Sequence, residues 1–170
     1  MKILQNSFNK YLNKNYFFEK KPTIAVAVSG GPDSMCLIYL LKNWINVNKG
    51  SIVALIIDHQ LRKESEEESY LIKKYLLKNK ISTKIIKINK KLVIKKSMKE
   101  ARENRYEKLT KYCNRKNIFH LFLAHHYDDN IETFLIRKLS GSNFQGLRGM
   151  QYKSINNSIQ ILRPLLSHTK

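Results

Sequence analysis

Residues 24–41 read I-A-V-A-V-S-G-G-P-D-S-M-C-L-I-Y-L-L and restrict the folding options of this chain more than any other stretch. Residues 24–28 are apolar and rich in β-branched side chains, a run suited to a short strand buried on both faces. Ser29, Gly30, Gly31, Pro32, Asp33 and Ser34 follow, and residues 35–41 then take up a helical apolar pattern. A strand that turns through two glycines into a helix makes backbone N–H groups converge. Glycine permits positive φ and close approach of the chain to a ligand. A helix amino end adds unpaired donors and about half a positive charge. The turn is therefore expected to cradle an anion.

The turn is not of the Walker type, which places a lysine after its second glycine. An acid, Asp33, stands here instead, and an acid beside a phosphate cradle makes sense when Mg²⁺ lies between them. The pattern S-G-G-x-D-S resembles the signature of the pyrophosphate-loop ATP-binding family, whose members cleave ATP to AMP and pyrophosphate. The competing reading is an ordinary glycine-rich strand-to-helix turn.

A chain of 170 residues with 42% hydrophobic content is one domain by length and can bury a sizeable core. No run approaches the ~18 apolar residues of a membrane span, and residues 1–10 lack the apolar centre of a signal peptide. Two cysteines, Cys36 and Cys113, have no metal-type spacing, so reduced thiols in a cytoplasmic protein are expected. The net charge of +19 favours a polyanionic partner, nucleic acid above all. Compositional drift toward Lys, Asn and Ile is the alternative source of that charge.

Residues 1–21 are expected to form a lead-in helical segment packed on the domain through Phe8, Tyr11, Leu12, Tyr16 and Phe17, closed by Pro22. Residues 22–170 form the main domain. Strands are expected at 24–28, 51–57, 81–88 and 118–124, with a last apolar run at 159–162. Helices are expected after residue 34, over 64–79 with Tyr70, Leu71, Tyr75 and Leu76 inward, over 97–117, and up to about residue 139. Cys36 reads as a core residue. A glycine-punctuated loop spans 140–149, and residues 90–96 are a basic linker-like patch. Alternating strands and helices imply a Rossmann-like parallel sheet flanked by helices, with ligands at the carboxyl ends of its strands. The loops after the first, second and fourth strands then bring residues 29–34, 58–62 and 125–132 to one edge.

Asp129 and Glu132 are three apart at a helix start and share a face near its positive end. Helix capping, with Asp128 or Asp129 as cap and Glu132 as its partner, is one explanation. The other is chemistry: holding Mg²⁺, holding an amine-bearing substrate, or taking a proton from it. Adjacent His125 and His126 point opposite ways in an extended segment, so at most one of them is expected to face the site easily, the other packing locally. Arg102 and Arg105 share a helix face, either solvated or directed at phosphate or RNA backbone.

Ser29-Gly-Gly-Pro-Asp-Ser34, Asp58-His-x-Leu-Arg62, Ala101-Arg-x-x-Arg-Tyr106, Leu123-Ala-His-His-x-Asp-Asp-x-x-Glu-Thr133, Gly146-Leu-x-Gly-Met150 and Arg163-Pro-Leu-Leu166 together resemble the tRNA(Ile)-lysidine synthetases. The match spans residues 24–166, with the motifs in family order. The resemblance implies a pyrophosphate-loop catalytic domain that joins free L-lysine to carbon 2 of the wobble cytidine of an isoleucine tRNA with a CAU anticodon. ATP first adenylates the base carbonyl oxygen and releases pyrophosphate; the lysine amine then attacks and AMP leaves. It further implies that Ser29, Gly30, Gly31, Pro32, Ser34, Asp58 and His59 bind ATP. Asp33, and with it Asp129, would hold Mg²⁺. Asp33, Arg105, Asp129 and Glu132 would be catalytic, and Arg102, Arg105 and His125 would contact phosphate or RNA.

Two departures stand out. The chain stops four residues past Leu166, where family members continue the catalytic domain and usually add tRNA-binding domains, so a fragment or a minimal enzyme is expected. Lys138-Leu139-Ser140-Gly141 also replaces the arginine-glycine pair expected to open the glycine loop. The rival enzyme is a tRNA 2-thiocytidine-type sulfurtransferase, which needs a clustered cysteine set that Cys36 and Cys113 do not form. The rival of another class is a basic RNA-binding module with a decayed ATP site, which predicts loss of Asp33, Asp129 or Glu132; all three are present.

Overall fold

The structure is a computed structural model that describes residues 2–58, 64–88, 98–143 and 147–169. Its helices are α1 (Lys2–Asn15), α2 (Pro32–Val47), α3 (Glu64–Lys78), α4 (Met98–Arg115) and α5 (Tyr127–Leu139). Its strands are β1 (Thr23–Val28), β2 (Ser51–Asp58), β3 (Ser82–Lys87), β4 (His120–Phe122), β5 (Lys153–Asn156) and β6 (Ile159–Leu162). Among the described residues these strands form one sheet in the order β3-β2-β1-β4-β6-β5. All neighbouring pairs are parallel except β5 with β6, an antiparallel hairpin at the edge.

The period-2 geometry of a strand explains the two cores. Ile24, Val26 and Val28 join Leu37, Ile38, Leu41 and Trp44 of α2, Leu76 of α3, and Phe8 and Leu12 of α1 on one face. Ala25 points to the opposite face, with Val53, Leu55, Leu121 and Leu109 and Cys113 of α4. Covered on both sides, β1 reads as an unbroken apolar run. The chain leaves β1 outward through β2 and β3, then returns to place β4 on the other flank of β1. The topological switch point therefore lies between the carboxyl ends of β1 and β4, where open α/β sheets bind ligands.

Several expectations need correction. The inner face of α3 is Ser69, Ile72 and Leu76, spaced three and four apart, whereas Tyr70, Leu71 and Tyr75 are exposed. Phe17 lies beyond the end of α1 and is exposed, while Phe8, Leu12 and Tyr16 are buried. Cys36 is exposed too, because the buried stripe of α2 passes through Ser34, Leu37, Ile38 and Leu41. β4 covers only residues 120–122 of the expected 118–124. The hairpin strand β5 was not expected, since Lys-Ser-Ile-Asn carries no apolar run. The patch at residues 90–96 lies outside the described residues.

Candidate active site

The loop between β1 and α2 is built from its own hydroxyls. The Ser34 Oγ donates to the Gly31 carbonyl at 2.9 Å and accepts from the Ser29 N–H at 3.3 Å. The Ser29 Oγ in turn accepts from the Gly31 N–H at 3.4 Å. Ser34 is thus a buried brace rather than an open ligand, while Ser29 and Gly30 are exposed. Gly30 has φ of 86°, a conformation that favours glycine, and a Cβ there would press the tip of the Ile72 side chain of α3 aside. Pro32 occupies the first turn of α2, where a missing N–H does no harm. Gly31 caps the helix with no side-chain hydrogen bond. The amino end of α2 is left open to an anion.

The amino end of α5 is closed. His126 is its N-cap residue, the Asp129 carboxylate accepts from the His126 N–H at 2.9 Å as one arm of a capping box, and the Tyr127 N–H donates to the His168 carbonyl at 2.8 Å. The capping partners are therefore His126 and Asp129, not Asp128 and Glu132. The His126 ring bridges the two loops: its Nε2 lies 3.8 Å from the Asp33 carboxylate and 3.6 Å from that of Asp129. Asp128 approaches the other ring nitrogen at 3.6 Å. Glu132 is exposed one turn further along α5. Two carboxylates gathered about one imidazole nitrogen offer the hard oxygen donors that Mg²⁺ takes. Among the described residues no group of three or more His, Cys, Asp or Glu is arranged to hold a metal. A metal here would complete its shell with phosphate and water oxygens, the usual habit of Mg²⁺.

A guanidinium cluster faces this junction. Burial first, then Arg163, Arg102 and Arg105 against the opposing pull of Asp129, push the His125 imidazole down to about 4 from an ordinary 6.5. His125 is consequently neutral near pH 7. Arg163, buried at the end of β6, donates to the Gln151 carbonyl at 2.9 Å, the Ser154 Oγ at 3.1 Å and the Tyr106 hydroxyl at 3.4 Å. The Arg102 guanidinium lies over the Tyr106 ring, 5.8 Å from its centroid. Burial acts to raise the Tyr106 phenol, but Arg163 and then Arg102 more than offset it and hold the phenol below its usual range.

Of the expected site residues, the structure brings together Ser29, Gly30, Gly31, Pro32, Asp33, Ser34, Asp129 and, through their field on His125, Arg102 and Arg105. Asp58 ends β2 on the same edge but is 1% exposed, and its carboxylate accepts from the Ser65 Oγ at 2.8 Å. His59 lies outside the described residues. Sequence reasoning missed His126 as the bridge, Arg163 as a clamp, and Asn130. The Asn130 Oδ1 accepts from the Met150 N–H at 2.7 Å, and a Cβ on Gly149 would strike the same amide. The remnant of the glycine loop is tied to α5 in this way. Also missed was a cavity of about 530 Å³ beside Asp33 and His126, walled by Phe8, Tyr11, Leu40 and Leu165.

The sequence model of the PP-loop domain family matches residues 1–170. The chain belongs to the PP-loop domain family. Within this PP-loop chain, 169 residues are 39% identical to the tRNA(Ile)-lysidine synthase of Wolbachia pipientis wMel, covering 98% of the chain and 39% of that relative. Against the tRNA(Ile)-lysidine synthase of Orientia tsutsugamushi the identity is 39% over 153 residues, 90% of the chain and 34% of the relative. A bifunctional TilS/HprT protein of Listeria monocytogenes is 36% identical over 95% of the chain and 26% of its own length. The PP-loop chain thus spans about two fifths or less of these relatives. Among solved structures, the U34-tRNA thiolase NcsA of Methanococcus maripaludis, which carries a [4Fe-4S] cluster, superposes with a TM-score of 0.79. It covers 99% of this chain and 61% of its own, at 15% identity, a likeness of fold alone. Cys113, the buried thiol of α4, is pushed up to about 12 by its surroundings, the state of an inert core residue.

Proposed function

We propose that this PP-loop domain carries out the ATP-dependent ligation of lysine to carbon 2 of the wobble cytidine in a CAU-anticodon isoleucine tRNA, releasing pyrophosphate and then AMP. The observation that carries the reading is the meeting of the open α2 amino end, Asp33 and Asp129 at the switch point. Similarity to lysidine synthases along 98% of the chain supports it.

In this reading the phosphates of ATP lie against the backbone N–H of Gly30 and those of the first turn of α2, facing its helix dipole. Asp33 and Asp129 would hold Mg²⁺, which when bound neutralises phosphate charge and eases departure of pyrophosphate. Arg105, with Arg102 beside it, neutralises the transferring phosphoryl group as charge develops. The cytidine carbonyl oxygen attacks the α-phosphorus, and the bond to pyrophosphate breaks. The lysine amine must be neutral to attack carbon 2, so Asp129 or Glu132 holds its ammonium and one of them accepts the proton. The carbon–oxygen bond to AMP then breaks. His125, kept neutral among guanidiniums, accepts or donates a hydrogen bond without adding charge. The tRNA substrate and the reduced thiols agree with a cytoplasmic setting, and no described helix is long and apolar enough to cross a membrane.

The test incubates the chain with labelled lysine, ATP, Mg²⁺ and an unmodified CAU-anticodon tRNA transcript. Label in the RNA, matched by AMP and pyrophosphate, is the expected result. A folded chain that binds ATP and tRNA yet transfers no lysine would overturn the reading for this chain.

A further inference from the structure

α5 turns its polar side toward the domain and its apolar side outward. Asp129, Asn130, Thr133 and Arg137, spaced three and four apart, are its half-buried residues. Their bonds hold the helix in place. The Asp129 carboxylate accepts from the His126 N–H, the Asn130 Oδ1 accepts from the Met150 N–H, and the Arg137 guanidinium donates to the Arg148 carbonyl at 2.9 Å. On the other side Tyr127, Ile131, Leu135 and Leu139 follow one another a turn apart and are 46%, 41%, 50% and 87% exposed, with Phe134 beside them. No residue of α5 is buried. A helix of 13 residues is marginal in water and draws most of its stability from a packed apolar face. α5 has such a face and presents it to solvent.

The stripe is complementary to itself. Asp128 belongs to the acidic first turn of α5 and Lys138 to its basic last turn, and both are exposed beside the apolar residues. Ile131 and Leu135 stand at equal distances on either side of Thr133; so do Tyr127 and Leu139, and so do Asp128 and Lys138. Two copies of α5 laid antiparallel, about a two-fold axis level with Thr133, therefore set Ile131 against Leu135, Tyr127 against Leu139 and Asp128 against Lys138, each contact made twice. A parallel arrangement would set acid on acid and base on base. Exposed apolar residues alone would suit any apolar partner. Charge and spacing matched about one point suit a second copy.

We propose that α5 is a dimerisation helix, which pairs antiparallel with α5 of a second copy of this chain. The helix is only about 20 Å long, so the interface is small and belongs with the weak, reversible class. In the pair the two α5 amino ends lie about 20 Å apart along the helices. Each carries an Asp33–His126 junction, so association brings two candidate sites near each other. The pairing does not depend on which reaction those sites perform.

The experiment is sedimentation equilibrium of the whole chain from about 1 µM to about 1 mM. The net charge of +19 opposes self-association, so it is run at ~0.15 M salt, where the screening length is about 8 Å. A monomer–dimer equilibrium is expected, with a dissociation constant on the order of 10–100 µM. Ile131→Gln combined with Leu135→Gln should weaken it about tenfold or more. The dilute variant should keep the parent's circular dichroism and melting temperature, because glutamine is a good helix former and both positions are exposed in the monomer. Asp128→Lys alone and Lys138→Asp alone should each weaken dimerisation about tenfold. An equimolar mixture of these two chains should recover the parent's association, since every facing pair is again of opposite sign. A parent that stays monomeric throughout the range would overturn the proposal and leave the face to a different partner. So would a dimer that the glutamine variant retains, or a mixture that associates no better than its components. A monomeric parent that binds neutral phosphatidylcholine vesicles, where the glutamine variant does not, would also overturn it and mark a membrane-surface helix. None of these measurements needs lysine transfer, so failure of the ligase reading is seen separately.

Discussion

The Asp33 carboxylate, in the first turn of α2, lies 3.8 Å from Nε2 of His126, the cap of α5. One side chain thereby joins the carboxyl ends of β1 and β4 across the switch point, and it joins an open helix amino end to a closed one. The anion site belongs to α2 for that reason. At the α5 end the His126 N–H is taken by Asp129 and the Tyr127 N–H by the His168 carbonyl at 2.8 Å.

Replacing His126 separates its two tasks. His126→Ala removes the cap and should lower stability by about 1 kcal/mol. His126→Asn restores a good capping residue and should recover most of that loss, yet leave turnover low because nothing then bridges Asp33 and Asp129. Urea midpoints beside lysine-transfer rates check this, and recovery of activity in the Asn variant would show that capping alone matters.

Asp33→Asn keeps shape and removes charge. Pyrophosphate release should fall by about a hundredfold or more, the loss typical when a group that stabilises developing charge is removed. RNA affinity should stay at the parent value. A parallel loss of RNA binding would move Asp33 from the reaction to the RNA interface.

His125 should make the fold acid-sensitive. Its folded value of about 4 lies below the ordinary 6.5, so between these values the unfolded chain binds the proton and the folded chain does not. Stability tied to neutral His125 is present above about pH 6.5 and is lost as pH falls toward 4. At ~1.36 kcal/mol per pH unit the total is about 3 kcal/mol. Urea midpoints over this range should flatten for His125→Gln; an unaltered pH slope would refute it.

Arg163→Met leaves the Gln151 carbonyl, the Ser154 hydroxyl and the Tyr106 hydroxyl without their donor. The expected destabilisation is about 2–3 kcal/mol. Loss of the charge should also raise the His125 value, readable in the NMR titration of its imidazole. A destabilised variant with an unmoved His125 would mean that the clamp acts by packing alone.

Much of this arrangement was legible in residue order. β1 announces itself because burial on both faces forces an unbroken apolar run, and Gly30 because its positive φ is one that side chains rarely adopt. The phase of α3 was misread, since Tyr70, Leu71 and Tyr75 are apolar by type but contribute to no core. β5 was invisible because an edge strand is held by backbone hydrogen bonds to β6, which leave no imprint on side-chain pattern.

By itself the sequence determined the parallel α/β architecture, the glycine turn, and the edge on which the polar loops collect. Local periodicity and conformational demand act within a few residues, so they are written in the chain directly. Only the tertiary structure decided that His126 rather than His125 meets Asp33, that Ser34 braces the loop, that Asp58 faces inward, and that Arg163 reaches across to Tyr106. Those outcomes depend on distances between residues far apart in the chain, set by strand order and by how the two cores pack. No local signal carries them.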